Sequence, residues 1–425
     1  MTKITSEQLL KQLLPNALLA LICTVSLSLT ASCATIPSTA ETESSGPMHQ
    51  LKVKGDVNKH KSIFVFLDGT KNNSLSGTNV WRLYDLLSKS TDEQLTAIYI
   101  PGVGSIDKPV LGAALGKGME ERILNGYDFV AKHYNPGDGI FIFGFSRGAH
   151  ETRSLAGLLS YVGVPTTVGQ DHTYGTRDWN AILELTKDKS DEDYTDKWTS
   201  WTPDQPPLLG KEIKDKLKIE MRAVTIAFLG VWDTVPGSSF INFGVCKGEK
   251  GFFKRWVPFL TPAEGDRYKS DSYPPIHQIA HAVSLDEKRS KFAPLLLCPT
   301  INPQYTSLNE EWFPGAHSDI GGGYEDSNDL AGLSFNWMLG LLAKSYHFEQ
   351  PPSRFNESAS GLAHWSMGDA PGNWGSECED RRPPKEAQIH KSVGERRNSE
   401  ARLPIRIKGE TVFKPYPIKC SDIEP

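Results

Sequence analysis

Gly139-Ile-Phe-Ile-Phe143-Gly144-Phe145-Ser146-Arg147-Gly148-Ala149-His150 is the stretch from which the rest of this chain can be read. Gly139 to Phe143 is an uninterrupted apolar run, the pattern of a strand buried on both faces. A helix-like stretch, Ala149 to Val162, follows at once. Between them stands Gly-x-Ser-x-Gly, which needs that strand-to-helix context to mean anything. A serine on so tight a turn is held in a strained backbone conformation. Gly144 and Gly148 flank it because a Cβ at either position would clash across the turn. The helix aims its N-terminus at the serine, where backbone N–H groups and the dipole favour developing negative charge. Ser146 is therefore a candidate nucleophile.

A serine hydroxyl is a weak nucleophile at neutral pH unless a base takes its proton and an acid orients that base. On scaffolds with such an elbow the acid follows the serine in the chain and the histidine comes last. Asp233 closes Phe228-Leu-Gly-Val-Trp-Asp233, at the C-terminal end of a predicted strand. His317 lies in Trp312-Phe-Pro-Gly-Ala-His317-Ser-Asp-Ile-Gly-Gly-Gly-Tyr324, where three successive glycines allow a sharp path near a site. Asp319 and Asp286 are alternative acids. His150, His277 and His281 are rival bases, but His150 sits too close to Ser146 along its helix. His277 and His281, four apart on a predicted helix, read as packing or surface residues. An oxyanion hole would use the N–H of Arg147 and the Gly69-Thr70 turn, with Asp68 and Asn72 shaping that turn by side-chain hydrogen bonds.

Working outward, Ile63 to Leu67, Leu95 to Ile100, Val224 to Val231 and Ala293 to Leu297 repeat the buried-strand signature. Helix-like stretches fall at Met119 to His133, Ile276 to Leu285 and Leu330 to Tyr346. The alternation predicts an α/β fold, a mostly parallel central sheet with helices on both faces. Two aromatic-rich insertions, 171–215 (Trp179, Trp198, Trp201) and 237–275 (Phe240, Phe243, Phe252, Phe253, Trp256, Phe259, Leu260), are read as a cap or lid. Residues 351–425, rich in Pro, Arg, Glu and Ser, are read as a partly ordered C-terminal extension. The chain has 425 residues, 38% hydrophobic, with a formal charge of −5. That is enough apolar matter for a real core, with no global pull toward nucleic acid.

The first residues read as a targeting segment. Lys3 and Lys11 precede an apolar run from Ala17 to Ala31, the size of an export-signal core and short of a membrane span. It ends in Leu29-Thr30-Ala31-Ser32-Cys33, which resembles a bacterial lipobox with Cys33 as the acylated residue, although Thr30 stands where an aliphatic residue is usual. Cleavage after Ala34 and an uncleaved short anchor are the alternatives. Residues 34–60 read as a flexible tether. Beyond Cys23 and Cys33, the four cysteines Cys246, Cys298, Cys378 and Cys420 allow up to two disulfides in an oxidising envelope, or none.

Two resemblances fail. Phe66-Leu-Asp68-Gly-Thr70 is similar to the nucleophile motif of haloacid-dehalogenase-type phosphatases, but Phe66 stands where the nucleophilic Asp belongs. Gly112-Ala-Ala-Leu-Gly116-Lys117-Gly118 resembles a phosphate-binding loop one residue short, with Gly118 where Ser or Thr would hold magnesium. One holds. Phe66 to Asn73, Thr78-Asn-Val-Trp-Arg-Leu83, Gly102-Val-Gly104, Gly144 to Ala149, Gly230 to Val235 and Trp312 to Tyr324 together resemble the α/β-hydrolase domain of type VI secretion phospholipase effectors of the first lipase class. The resemblance spans residues 61 to about 345.

It implies a serine esterase or lipase acting on acyl esters, phospholipids first, with Ser146, Asp233 and His317 as triad and no metal or cofactor. A cognate immunity protein is the partner it implies; the lipobox-like Cys33 and the aromatic inserts point, apart from the resemblance, to a membrane surface. The export signal departs from such effectors, which their machine carries without one, and favours a resident, periplasm-facing envelope lipoprotein over a toxin or a secreted enzyme. A thioesterase, a carboxylesterase and a non-catalytic envelope lipoprotein are the alternatives.

Overall fold

The alternation of aliphatic and aromatic residues along the central strands decides how the two faces of the sheet are filled. In strand β2 (Ser62–Leu67), Ile63, Val65 and Leu67 point into one apolar cluster while Phe64 and Phe66 point into another. Strand β4 (Gly139–Phe145) does the same, with Ile140 and Ile142 on the aliphatic side and Phe141, Phe143 and Phe145 on the aromatic side. Side chains alternate across a strand, so an unbroken apolar run must be covered on both faces. Helices α2 (Gly112–His133) and α3 (Arg147–Val162) cover the aliphatic face, and α1 (Asn79–Ser88) and α7 (Asp329–Leu342) the aromatic one.

The computed structural model describes residues 46–423, apart from 57–58, 105–111, 168–173, 188, 190, 237–271 and 368–375. The segment expected to be an export signal, with Cys33, the first part of the expected tether, Cys246 and the insertion containing Phe240 to Leu260 lie outside the described residues. With β1 (His49–Leu51), β3 (Leu95–Ile100), β5 (Ile226–Trp232), β6 (Gln278–Ser284), β7 (Ser307–Phe313) and β8 (Gln388–Ile389), the main sheet has the order β1-β3-β2-β4-β5-β6-β7-β8. All its pairings are parallel except that of β1 with β3. From β2 the chain passes outward to β3 and then returns to the other side as β4. The loops after β2 and β4 therefore diverge and open a crevice at the carboxyl ends of the strands, where open α/β sheets hold their sites. Among the described residues no helix is long and apolar enough to cross a membrane.

Several elements differ from the sequence expectation. Ile276 to Leu285 is strand β6 rather than a helix: its seven residues are all buried between β5 and β7, and an apolar run this short fits either period until its neighbours choose. His281 is consequently wholly buried within the sheet, where Nε2 accepts from the Thr234 N–H (3.1 Å) and Nδ1 meets Glu310 (2.9 Å). Ala293 to Leu297 joins no strand ladder; it crosses the sheet end, where Arg153 donates to the Leu295 carbonyl at 2.7 Å. Strand β7, Ser-Leu-Asn-Glu-Glu-Trp-Phe, escapes notice because Asn309, Glu310 and Glu311 interrupt its apolar pattern. Part of the presumed tether is structural, since β1 pairs with β3 and His49 packs on Trp81 with ring centroids 5.0 Å apart.

The described part of the 171–215 insertion is built into the aliphatic face of the sheet. Helices α4 (Thr176–Lys187) and α5 (Gly210–Leu217) pack with the buried Trp179, Trp198 and Trp201 on the aliphatic face. Tyr161, at the far end of α3, meets Trp198 edge-on at 5.0 Å. The C-terminal extension is built into the fold: α6 (His317–Gly321) precedes α7, and beyond α7 the chain adds β8, α8 (Lys391–Arg397) and a separate three-stranded sheet of Ala363–His364, Leu403–Ile407 and Glu410–Lys414. A disulfide joins Cys378 to Cys420.

Candidate active site

Ser146 stands between β4 and α3 at φ 59° and ψ −126°, a conformation that L-residues avoid unless the surroundings impose it. Its N–H donates to the Trp232 carbonyl at 3.0 Å, and its own carbonyl accepts from Val235 at 3.2 Å, so the elbow is clamped to the end of β5. The two glycines answer to close approaches. A Cβ on Gly144 would lie 2.5 Å from the Gly148 carbonyl oxygen, and one on Gly148 would lie 2.2 Å from that of Leu67 and 2.5 Å from that of Asp68. Gly148→Ala must push the end of β2 away from α3. We expect it to cost about 1–3 kcal/mol of stability, as overpacking of a tight contact does, seen as a lower thermal unfolding midpoint. An unchanged midpoint would show that the helix can draw back freely.

Asp233, at the end of β5, is wholly buried and also strained, at φ 37°. His317 opens α6 after β7 and is 4% exposed. The two meet through His317 Nδ1 and Asp233 Oδ2 at 2.6 Å. Asp233 Oδ1 accepts from the Ser284 N–H at 2.9 Å. The phenyl rings of Phe145 and Phe292 lie against the imidazole at 4.6 and 5.2 Å, fixing its plane and drying its surroundings. Burial pushes the His317 imidazole below its ordinary value, and the Asp233 hydrogen bond only partly offsets this. Burial would also penalise the Asp233 carboxylate, but the Arg381 guanidinium and then His317 outweigh it and hold Asp233 well below the usual carboxylate range.

The turn after β2 lies beside the serine: a Cβ on Gly69 would be 3.1 Å from Ser146 Cβ. Asp68 organises it. Its carboxylate accepts from Gly69 N (2.7 Å), Thr78 Oγ1 (2.6 Å) and Tyr99 OH (2.6 Å). Arg122 donates to the Asp68 carbonyl at 2.6 Å and pairs with Glu151 of α3. The Gly69 N–H is thus committed, which corrects its expected place as an oxyanion donor; its part is to let the turn approach Ser146. Lys71 N donates to Val103 O and Asn72 N to Gly69 O, leaving Thr70 N as the amide of this turn without a partner among the described residues. Asn72 shapes the turn through its backbone, also accepting from Gly102 N at 2.8 Å, rather than by the side-chain bonds expected of it.

The alternative acids are engaged elsewhere. Asp286 accepts from Gly315 N at 2.7 Å and from Tyr416 OH, bracing the loop before His317. Asp319 accepts from Ala316 N (2.9 Å) and His364 N (3.0 Å) and meets His364 Nδ1 at 2.6 Å, so it shapes the histidine loop without touching His317. His150 is buried in α3, and burial drives its ring down to about 3.

Three residues escaped the sequence reading. Glu287 accepts from the His317 N–H at 3.2 Å and is paired with Arg289. His364 ties the extension to Asp319 and, at 2.9 Å, to Asp326. Arg381 reaches Asp233 from the extension. A nearby cysteine, Cys378, was the one sequence signal for that segment.

A parallel sheet with a strained serine elbow, an acid after β5 and a histidine after β7 defines an α/β-hydrolase-type fold. Residues 61–340 match the family model for the catalytic domain of type VI secretion system Tle1-like phospholipase effectors. The chain belongs to that family. An uncharacterized protein of Saccharomyces cerevisiae, YEL023C, is 25% identical over 257 residues, covering 56% of this chain and 33% of the yeast protein. The chain thus spans about a third of that relative's length. Among solved structures, an uncharacterized Pseudomonas aeruginosa protein is similar at 17% identity and a TM-score of 0.35, over 71% of this chain and 49% of that one. A Tle1 effector bound to the VgrG spike of the type VI secretion system is 19% identical with a TM-score of 0.33, over 69% and 56%. Esterase 2 of Thermogutta terrifontis, propionate-bound, is 12% identical with a TM-score of 0.36, over 74% and 98%.

Proposed function

We propose that this chain is a serine hydrolase that cleaves acyl esters of lipids, phospholipids foremost, by two-step acyl transfer. The observation that carries the proposal is the 2.6 Å bond between His317 and the buried Asp233, with His317 packed against Phe145, the residue before a serine held at positive φ. His317 takes the Ser146 hydroxyl proton as the oxygen adds to the ester carbonyl. The N–H groups of Arg147 and Thr70 face the developing oxyanion. His317 then gives that proton to the leaving alcohol as the ester bond breaks. In the second step water attacks the acyl-enzyme, losing a proton to His317, and free acid and Ser146 are released.

Family membership and the buried, apolar walls around His317 support a lipid ester. The expected export signal and Cys33 support a lipid-anchored enzyme resident in the envelope, with an immunity protein as partner if it is instead turned on a neighbour. A thioesterase or carboxylesterase on the same groups is the second reading, because a triad does not choose its acyl donor. The test compares fatty-acid release from mixed phospholipid vesicles with hydrolysis of a short soluble ester and an acyl thioester. We expect vesicle hydrolysis to dominate. Faster turnover of the soluble ester or thioester would replace phospholipid by that substrate.

A further inference from the structure

We propose that Arg381, carried by the C-terminal extension, is a positioning residue that holds the Asp233 carboxylate facing His317. This rests on the hydrolase reading above. Its guanidinium grips both carboxylate oxygens, one of them shared with the histidine: Nη1 lies 2.7 Å from Oδ1 and Nη2 3.1 Å from Oδ2. The same two nitrogens donate to the carbonyls of Ser284, at 2.7 Å, and Phe292. A planar fork bound at four oxygens leaves the carboxylate one orientation. The side chain is 7% exposed, so this ion pair is desolvated and not a surface contact.

The path of the chain anchors the segment that carries the grip. Ser290 N donates to Glu377 O (3.0 Å) and Glu379 N to Lys288 O (2.8 Å), stitching the segment before Arg381 to the loop after β6. Lys288 Nζ pairs with Asp380 at 2.7 Å, and the Cys378–Cys420 disulfide ties the segment to the end of the chain. None of these contacts fills the core or serves a separate sheet. They converge on delivering one cation to Asp233.

The cation has a chemical use. A carboxylate with no exposure is expensive to keep ionised, and a neutral Asp233 would neither orient the imidazole nor stabilise the imidazolium. The charged groups around His317 are Asp233 from β5, Glu287 and Arg289 from the loop after β6, and Arg381 behind Asp233. Removing Arg381 subtracts a positive charge, so both Asp233 and His317 bind protons more tightly. The acid limb of activity, where His317 must be neutral, then moves to higher pH.

The experiment follows the His317 ring nitrogens by NMR across pH in the full chain, alongside kcat/KM on a soluble ester, for wild type, Arg381→Ala and Arg381→Lys. In Arg381→Ala the His317 midpoint and the acid limb should rise by about one pH unit or more, and kcat should fall about 100-fold, as misplacing a catalytic group does. Added guanidinium should recover part of that loss. Arg381→Lys, which keeps the charge without the fork, should return the midpoint to near wild type while kcat stays low. A His317 midpoint unmoved in a folded Arg381→Ala protein overturns the proposal. If Arg381→Ala does not fold, wild-type kcat in Arg381→Lys overturns it instead. A shifted midpoint in a chain that hydrolyses no ester or thioester at all would keep the role of Arg381 and discard the hydrolase.

Discussion

Ser146→Ala is expected to lower ester hydrolysis by at least about four orders of magnitude, with labelling by a fluorophosphonate probe lost altogether. The size follows from the site's division of labour. His317 and Asp233 have no use without a hydroxyl to deprotonate, so removing the serine forfeits the contribution of all three. What remains would come from substrate held near the Thr70 and Arg147 amides. Alanine fits the elbow's position as tightly as serine and asks nothing more of Gly69 or Gly148, so unfolding should be unchanged. The comparison is kcat for both proteins on one ester, with the thermal midpoint as a control. Equal turnover by wild type and Ser146→Ala would move the nucleophile elsewhere. Absence of labelling in both would favour the non-catalytic lipoprotein.

Asp233→Asn should cost nearly as much, about 10⁴-fold in kcat, for a reason the hydrogen bonds spell out. Oδ1 faces two donors, the Ser284 N–H and Arg381 Nη1, so the oxygen of the introduced amide must take that place. Its NH₂ group is then turned toward His317. Nδ1 becomes an acceptor, the ring proton moves to Nε2, and the nitrogen that should receive the Ser146 proton already carries one. The same NH₂ also faces Arg381 Nη2, donor against donor, so the variant should unfold at a lower temperature as well. The measurement is the pH dependence of kcat/KM. Recovery at high pH, where hydroxide can substitute for the base, fits the wrong tautomer. Near-wild-type activity at neutral pH would remove Asp233 from the mechanism and reopen Asp286.

The N-terminal half of the sheet is legible because its signals are local. Ile63 to Leu67, Leu95 to Ile100 and Gly139 to Phe145 are apolar runs that end in Gly- or Asp-containing turns, and their β-branched and aromatic content fits only a doubly covered strand. The second half is not. Gln278 to Ser284 has no turn residue inside it and mixes alanine with histidine, so its identity as strand depends on partners some thirty residues or more away in sequence. Glu310 and Glu311 hide β7, because each charge is answered by a distant side chain, His281 for one and Trp337 for the other.

The site divides the same way. That Ser146 sits on a strained elbow follows from the sequence alone, since two glycines at that spacing between a buried strand and a helix are a steric requirement of the local backbone. The order of serine, acid and histidine, and the glycines after His317, are likewise written in short motifs. Which acid meets which histidine was decided only by tertiary structure: Asp233, Asp286 and Asp319 are alike in type, and only the ends of β5 and β7 bring the first to His317. Arg381 belongs wholly to that second class. A cation in a Pro- and Arg-rich stretch has no local pattern to mark it, and its value comes from the electrostatics of one buried carboxylate, 148 residues away in the chain, that the fold places within its reach.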